Sequence, residues 1–297
     1  MNIAKQRRKK QITSTLTPYL FILPNTLIFT IFIVIPALFG FYYSLTEWDG
    51  LTEMKMVGLA NFEGIIKSEY FWDSLSRTVL YVLLKVPLLF VVSLFLANLL
   101  IKDLRFKGIF RAVFYWPTMI SFIIVGVTWK WMLGDSFGIV NYLLSNMGLE
   151  PVRWLTDGFY ANVAVIAASI WSRAGFYMIM FIAGLQSIPI SYYEASDIDG
   201  ASAFQRFRWI TFPLLKPTNF LVLILSMIDA FKAYPLVFSL TDGGPNKATT
   251  YLVQSIYEQG FNKNQFGYAS AMSVCLFLIL SILTFVQFKV NKGGEVQ

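Results

Sequence analysis

The chain has 297 residues, of which 56% are hydrophobic and only 14% charged; it carries 28 Phe, one Cys, no His and a net charge of +7. Soluble domains hold about 25% charged residues, so an ordinary soluble protein is excluded. A lone Cys excludes an internal disulfide, and the lack of His removes the commonest general base and metal ligand.

The apolar runs are continuous rather than alternating, which points to an all-α polytopic membrane helix bundle and away from a β-barrel. Several approach or exceed the roughly 20 residues with which a helix crosses a bilayer. After the basic stretch Lys5-Gln-Arg-Arg-Lys-Lys10, the first run covers Leu16–Leu45. It is much longer than the roughly 7–15 residues of a signal-peptide core, and no clear cleavage site follows, so it reads as a retained membrane helix. Further spans are expected at Leu75–Ile101, Ile109–Leu133, Ala161–Ile190, Pro213–Leu240 and Tyr268–Val290. The expectation is six transmembrane helices in a single domain over 1–297, with a core at about 75–290.

Lys and Arg set the orientation. With a cytoplasmic N-terminus, the two tails and the loops near 101–111 and 191–216 hold 14 basic residues, and the opposite segments hold 7. Lys85, Arg173 and Lys232 lie within spans. By the positive-inside rule both termini are cytoplasmic. The positive net charge therefore reflects sidedness and does not point to nucleic acid. Segment 46–74, on the outer side in this reading, holds Glu47, Asp49, Glu53, Glu63, Glu69 and Asp73. A solvated loop accounts for each acid singly; together they offer a contact surface for a binding protein.

Between the fourth and fifth spans, at 191–216, lies a polar segment that begins Ser191-Tyr-Tyr-Glu-Ala-Ser-Asp-Ile-Asp-Gly200. Ser191 and Glu194 have the spacing of a capping box, as do Ser202 and Gln205. Gly200 is a natural helix stop. The segment thus writes helix, turn, helix, with Pro213 and Pro217 where the next apolar run begins. Glu194 has two compatible readings: it caps its own helix, or it serves as a docking peg on a rigid one.

Glu194-Ala195-Ser196, Asp199-Gly200-Ala201, Phe207, Ile210, Pro213 and Pro217 resemble the Glu-Ala-Ala loop of bacterial ABC importer permeases, with Ser196 where that family usually has its second Ala. The resemblance extends over nearly the whole chain. It is carried by Asn61-Phe62, Gly184-Leu-Gln-Ser-Ile-Pro189, Leu240-Thr-Asp-Gly-Gly-Pro245, Ala248-Thr-Thr-Tyr-Leu252, Ile256-Tyr-Glu258 and Gly267-Tyr-Ala-Ser-Ala271. These look like the carbohydrate-uptake branch of maltose and oligosaccharide type, which also includes glycerol-3-phosphate importers. The resemblance implies a non-catalytic permease subunit of the bacterial cell membrane that binds no cofactor itself. It implies a second homologous permease, two ATPase subunits holding ATP and Mg, and an extracytoplasmic solute-binding protein. Glu194, Ala195, Ser196, Asp199, Gly200 and Ala201 would couple the chain to the ATPase. The chain has no Gly-x-x-x-x-Gly-Lys-Ser/Thr stretch of its own, so ATP binding by that route is not expected.

Charges inside spans are costly and normally face protein or water. Asp229 and Lys232 are three apart and would share a helix face, either as a structural pair or as part of a polar cavity. A sugar path should mix aromatic faces with a few polar groups. The candidates are Trp129, Trp171, Phe176, Tyr177, Phe231 and Tyr234, beside Arg173, Asp229 and Lys232. A phosphorylated solute would draw on Lys85, Arg173 and Lys232. An ion-coupled secondary transporter using Asp229, Lys232 and Arg173 as a charge relay is the competing class. A membrane-embedded hydrolase is disfavoured, because no His and no metal-ligand cluster is present.

Overall fold

The computed structural model describes residues 17–102 and 105–291. The basic stretch at 5–10, Leu16, the loop residues Asp103 and Leu104, and the tail after Asn291 lie outside them. The chain divides into two compact units. One contains the residues up to Lys67 with Gln259–Cys275, the other Ser68–Glu258 with the residues from Leu276 onward.

In the first unit, helix α1 (Thr17–Ser44) is long and strongly apolar, and none of its most apolar stretch is buried within the protein. Such a surface belongs in hydrocarbon or against another membrane protein. At its middle the Ile35 N–H reaches the Thr30 carbonyl, a widened turn directly before Pro36, which has no N–H of its own to continue the ladder. A short ribbon follows, with β1 (Thr46–Glu47) antiparallel to β2 (Lys55–Met56) and Thr46 opposite Met56. Asp49 builds the connecting turn, accepting from the Leu51 and Thr52 N–H groups at 2.9 and 2.7 Å. These donors favour the carboxylate and hold its pKa down at about 2. Asn61, in helix α2 (Ala60–Lys67), donates to the Ser44 and Thr46 carbonyls at 2.9 and 2.8 Å and so locks the ribbon to the end of α1.

The second unit is built on α3 (Glu69–Leu100), α7 (Gly158–Gln186) and α10 (Lys216–Phe231). The Ser68 hydroxyl caps α3, and the Asp157 carboxylate caps α7. Between them are α4 (Lys107–Tyr115), α5 (Phe122–Met132) and α6 (Ile139–Asn146). Then come α8 (Ile190–Ile198) and α9 (Ala203–Leu214), and after α10 the short α11 (Pro235–Thr241) and α12 (Leu252–Tyr257). The final helix, α13 (Phe266–Asn291), contributes residues to both units. Leu89, Met178, Phe181, Leu215 and Val222 are fully buried and bring α3, α7 and α10 into one core. The Tyr81 hydroxyl donates to Ser169 Oγ at 3.0 Å across α3 and α7. Gly175 lets α7 approach the backbone of α4: a Cβ there would stand 2.0 Å from the Phe114 carbonyl oxygen. Small residues are the usual means of such close approach in membrane bundles. The Ala248–Leu252 segment is pinned to the same core. Tyr251 donates to Asn162 at 2.9 Å and stacks on Tyr81 at 4.6 Å, and the Leu252 N–H donates to Thr78 Oγ1 at 2.8 Å.

Four expected spans are unbroken helices, now Thr17–Ser44, Glu69–Leu100, Gly158–Gln186 and Phe266–Val290. The third and fifth are not. Lys107–Met119 meets Phe122–Met132 at 99°, and Ala203–Leu214 meets Lys216–Phe231 at 70°. Six spans are reached only if each bent pair counts as one. The first bend follows a tight turn at Trp116–Met119 containing Pro117, where Ile120 turns to extended backbone. The second falls at Leu215, between Pro213 and Pro217, and Pro235 opens a further separate helix. Hydropathy records apolar length and is blind to direction, so both bends escape it.

Candidate functional site

The polar segment after α7 folds as the expected hairpin, with one correction. Its first helix begins at Ile190, and its N-cap is Pro189, whose side chain accepts no capping hydrogen bond. Ser191 therefore lies inside the first turn, and the Ser191–Glu194 capping box does not form. The chain has only Ser187–Pro189 in which to turn out of α7, and Pro189, fixed at φ −58°, starts the new helix at once. Glu194 is exposed at mid-helix and makes no hydrogen bond or ion pair among the described residues. Its carboxylate is left facing outward.

The rest of the hairpin is tightly specified. Gly200 takes φ +69° and ends α8, and the Ala201 N–H returns to the Ser196 carbonyl at 2.9 Å. This is the six-to-one bond of a Schellman stop. Ser202 and Gln205 form the expected capping box, with Ser202 Oγ accepting at 3.3 Å and Gln205 Oε1 accepting at 2.8 Å. Ser196 is buried and donates to the Tyr193 carbonyl at 2.7 Å, so its hydroxyl is satisfied where Ala would need no partner. Arg206 pairs with Asp197, and the Tyr193 and Thr211 hydroxyls meet at 3.1 Å, tying α8 to α9. Ala195, Asp199 and Gly200 are exposed alongside Glu194, and Ala201 is half-buried. Ile198 is 87% exposed at the tip of the same helix, an apolar side chain left uncovered.

A second cluster lies where α3, α7 and α10 meet. Asp229 is held from both sides: Lys85 Nζ donates to Oδ2 at 2.8 Å, and Arg173 Nη2 lies 3.4 Å from Oδ1. The Arg173 guanidinium also lies over the Phe122 ring, 4.3 Å from its centre. The expected Asp229–Lys232 pair is not formed. Helix α10 stops at Phe231, and Lys232 turns out at φ −93°, ψ 12°, which breaks the helical spacing that would bring the two together. Lys232 is exposed. Lys85, 144 residues away in sequence, takes its place.

The aromatic candidates separate. Phe231 and Tyr177 are buried in the core, with Phe176 edge-on to Tyr177 at 5.1 Å. Trp171 is half-exposed and lies 6.1 Å from Trp129. Tyr234 stacks on Tyr257 at 5.0 Å. A cavity of about 330 Å³ is lined by Thr118, Ser121, Phe122, Ser172, Arg173 and Pro235. A smaller one of about 30 Å³ holds Tyr81, Lys85, Asp229, Lys232 and Tyr234, and it shares Phe122 and Pro235 with the first. Phe122 and Tyr81 carried no signal beyond ordinary apolar patterning in the sequence.

Of the acids in 46–74, Glu47, Asp49 and Glu53 line a third cavity, of about 660 Å³, together with Trp48, Asn61 and Tyr268. Glu63 pairs with Lys67 and Asp73 with Arg77, both as exposed intrahelical pairs. Gly134-Asp-Ser-Phe-Gly138 spells the serine-hydrolase pattern Gly-x-Ser-x-Gly. It is a turn between α5 and α6, closed by Gly138 N–H to the Gly134 carbonyl at 2.8 Å. No strand leads into it and the chain has no His, so it is not a nucleophile elbow. No group of three metal-binding side chains occurs among the described residues.

The comparisons with known proteins agree with one another. Residues 57–293 match the family described as binding-protein-dependent transport system inner membrane component, and the chain belongs to that family. It is 36% identical to the trehalose/maltose transport system permease protein of Thermococcus litoralis, over 92% of this chain and 93% of that one. It is 35% identical to a probable ABC transporter permease protein of Pyrococcus horikoshii, over 94% and 97%. It is also 35% identical to the sn-glycerol-3-phosphate transport system permease protein of Agrobacterium fabrum, over 92% and 93%. In fold it is similar to a chain of a bacterial ABC transporter involved in import of alginate, with a TM-score of 0.83, 24% identity and coverage of 96% and 98%.

Proposed function

We propose that this family member is the non-catalytic translocation subunit of an ATP-driven importer of sugars or oligosaccharides in the bacterial cell membrane. Both termini and the 191–216 hairpin face the cytoplasm, as the basic-residue bias indicates. The hairpin docks on a separate ATPase, which holds ATP and Mg. A second homologous permease completes the path, and an extracytoplasmic binding protein delivers solute near Glu47, Asp49 and Glu53. The names of the relatives support the sugar reading.

The observation that carries the coupling role is Glu194: an exposed, unpaired carboxylate on a helix fixed by a Schellman stop and followed by a capping box. Rigidity at that position lets ATPase closure be transmitted as a lever movement into α7 and α10. Cys275 is the chain's one cysteine, so a Cys275→Ser background accepts a single reporter. Asp199→Cys in that background is expected to crosslink to the ATPase subunit in membranes, with an efficiency that changes between nucleotide-free and ATP-trapped states. Crosslinking to the solute-binding protein instead would place the hairpin on the wrong side of the membrane. An import system for a phosphorylated solute is the second reading, favoured by the glycerol-3-phosphate relative and by the cations around Asp229.

A further inference from the structure

Helix α6 carries apolar side chains on both of its sides. The inner side is fixed: Val140 and Leu144 are half-buried, and Asn141 is buried. Asn141 commits its whole amide to the surrounding loop. Nδ2 donates to the Asp135 and Val152 carbonyls at 3.2 and 2.9 Å, and Oδ1 accepts from the Val152 N–H at 3.0 Å and from Trp154 Nε1 at 3.1 Å. With that side locked down, the other cannot turn inward. It presents Ile139, Tyr142, Leu143 and Met147, spaced as one helical stripe and each more than half exposed, and Phe137 just before them is wholly exposed.

Single exposed apolar side chains are ordinary, but a contiguous stripe marks a contact surface. Residues 136–149 include no Asp, Glu, Lys or Arg. A face that has to release a soluble partner is about as polar as ordinary protein surface, which this one is not. Its place in the chain fits lipid. Helix α6 joins the end of α5 to the start of α7, the end of α7 away from the 191–216 hairpin, so it lies where two spans leave the hydrocarbon. The exposed side chains Ile124, Val127 and Trp131 form a stripe down α5 that leads into it. Tyr160, in the first turn of α7, packs on Trp154, the residue that Asn141 holds. Trp and Tyr are the residues that gather at the boundary between membrane and water.

We propose that α6 lies along the bilayer surface with Phe137, Tyr142, Leu143 and Met147 inserted among the lipids of the leaflet opposite the hairpin. The proposal holds whatever solute is carried. In the importer reading, α6 is an anchor that keeps this end of α5 and α7 at one depth while the hairpin end is moved.

The test uses the complete complex, otherwise free of cysteine, in proteoliposomes of phosphatidylethanolamine and phosphatidylglycerol, with this chain in a Cys275→Ser background. A nitroxide is attached at Met147→Cys or, separately, at Tyr142→Cys. Power-saturation electron paramagnetic resonance then reads its collisions with oxygen, which concentrates in lipid, and with a water-soluble nickel chelate. Both labels should report a depth of about 5–10 Å into the headgroup and acyl boundary. Leu143→Asp should move the Met147 label toward water, so that nickel collisions rise and oxygen collisions fall. Leu143 is exposed and takes no part in the Asn141 clamp, so this variant should assemble like the wild type. Labels open to nickel would overturn the proposal. Labels shielded from both reagents would also overturn it, since a protein would then cover this face. An unchanged depth in the Leu143→Asp protein would overturn it as well. Each of these results leaves the importer reading standing.

Discussion

Asp229→Ala should leave a purified complex that unfolds at markedly lower temperature than the wild type. Lys85 is fully buried in α3, and its ammonium has only the Asp229 carboxylate as an ionic partner among the described residues. Removing one member of a buried pair leaves the other charged and desolvated, at about 3–5 kcal/mol. The lower end applies here, because the Asp229 side chain is 23% exposed and water screens part of the loss. Adding Lys85→Met should recover most of the stability, since an unbranched apolar chain then fills the space without a charge. The loss and its recovery are read from thermal unfolding in detergent. An Asp229→Ala protein as stable as wild type would show that the Lys85 charge does not depend on this pair.

Gly175→Val should be at least as severe, for a steric reason. The added Cβ would stand 2.0 Å from the Phe114 carbonyl oxygen and 2.6 Å from its carbon, both of them backbone atoms of α4. No rotamer change relieves that contact; α4 must move away from α7. Overpacking that forces backbone to shift typically costs about 1–3 kcal/mol and occasionally more, and a contact this short belongs at the upper end. Gly184→Ala offers the contrast. Its Cβ would meet Thr218 Oγ1 at 2.2 Å, which a rotamer change can move, and Thr218 Cβ at 2.9 Å, which only a small backbone shift relieves. Membrane-inserted yield and resistance to trypsin should therefore fall sharply for Gly175→Val and modestly for Gly184→Ala. Equal effects would argue against the α4–α7 contact as the tighter of the two.

Apolar runs of about twenty residues or more disclosed the spans, because length in hydrocarbon is a local property. The bends at Ile120 and Leu215 were not legible, although Pro117, Pro213 and Pro217 stood beside them. Proline marks where a helix can break, while the angle is decided by what the two halves pack against. In the hairpin, Ser202–Gln205 and Gly200 behaved as their chemistry suggests. The Ser191–Glu194 pattern did not, since Pro189 starts the helix before Ser191 can act as its cap. That outcome removes the capping role and leaves Glu194 free for a partner. Asp229 attracted the expectation of a neighbour three residues on. Its true partners come from α3 and α7, and no local pattern reports a contact across 144 residues.

We propose that the hairpin couples this chain to an ATPase through Glu194. The most direct measurement is solute-stimulated ATP hydrolysis by the reconstituted complex carrying Glu194→Arg. The exposed side chain makes no contact within the described chain, so folding and insertion should be unaffected. The predicted result is an intact permease in the membrane whose ATPase no longer responds to solute and binding protein. Stimulation at the wild-type level by Glu194→Arg would show that Glu194 does not carry the coupling.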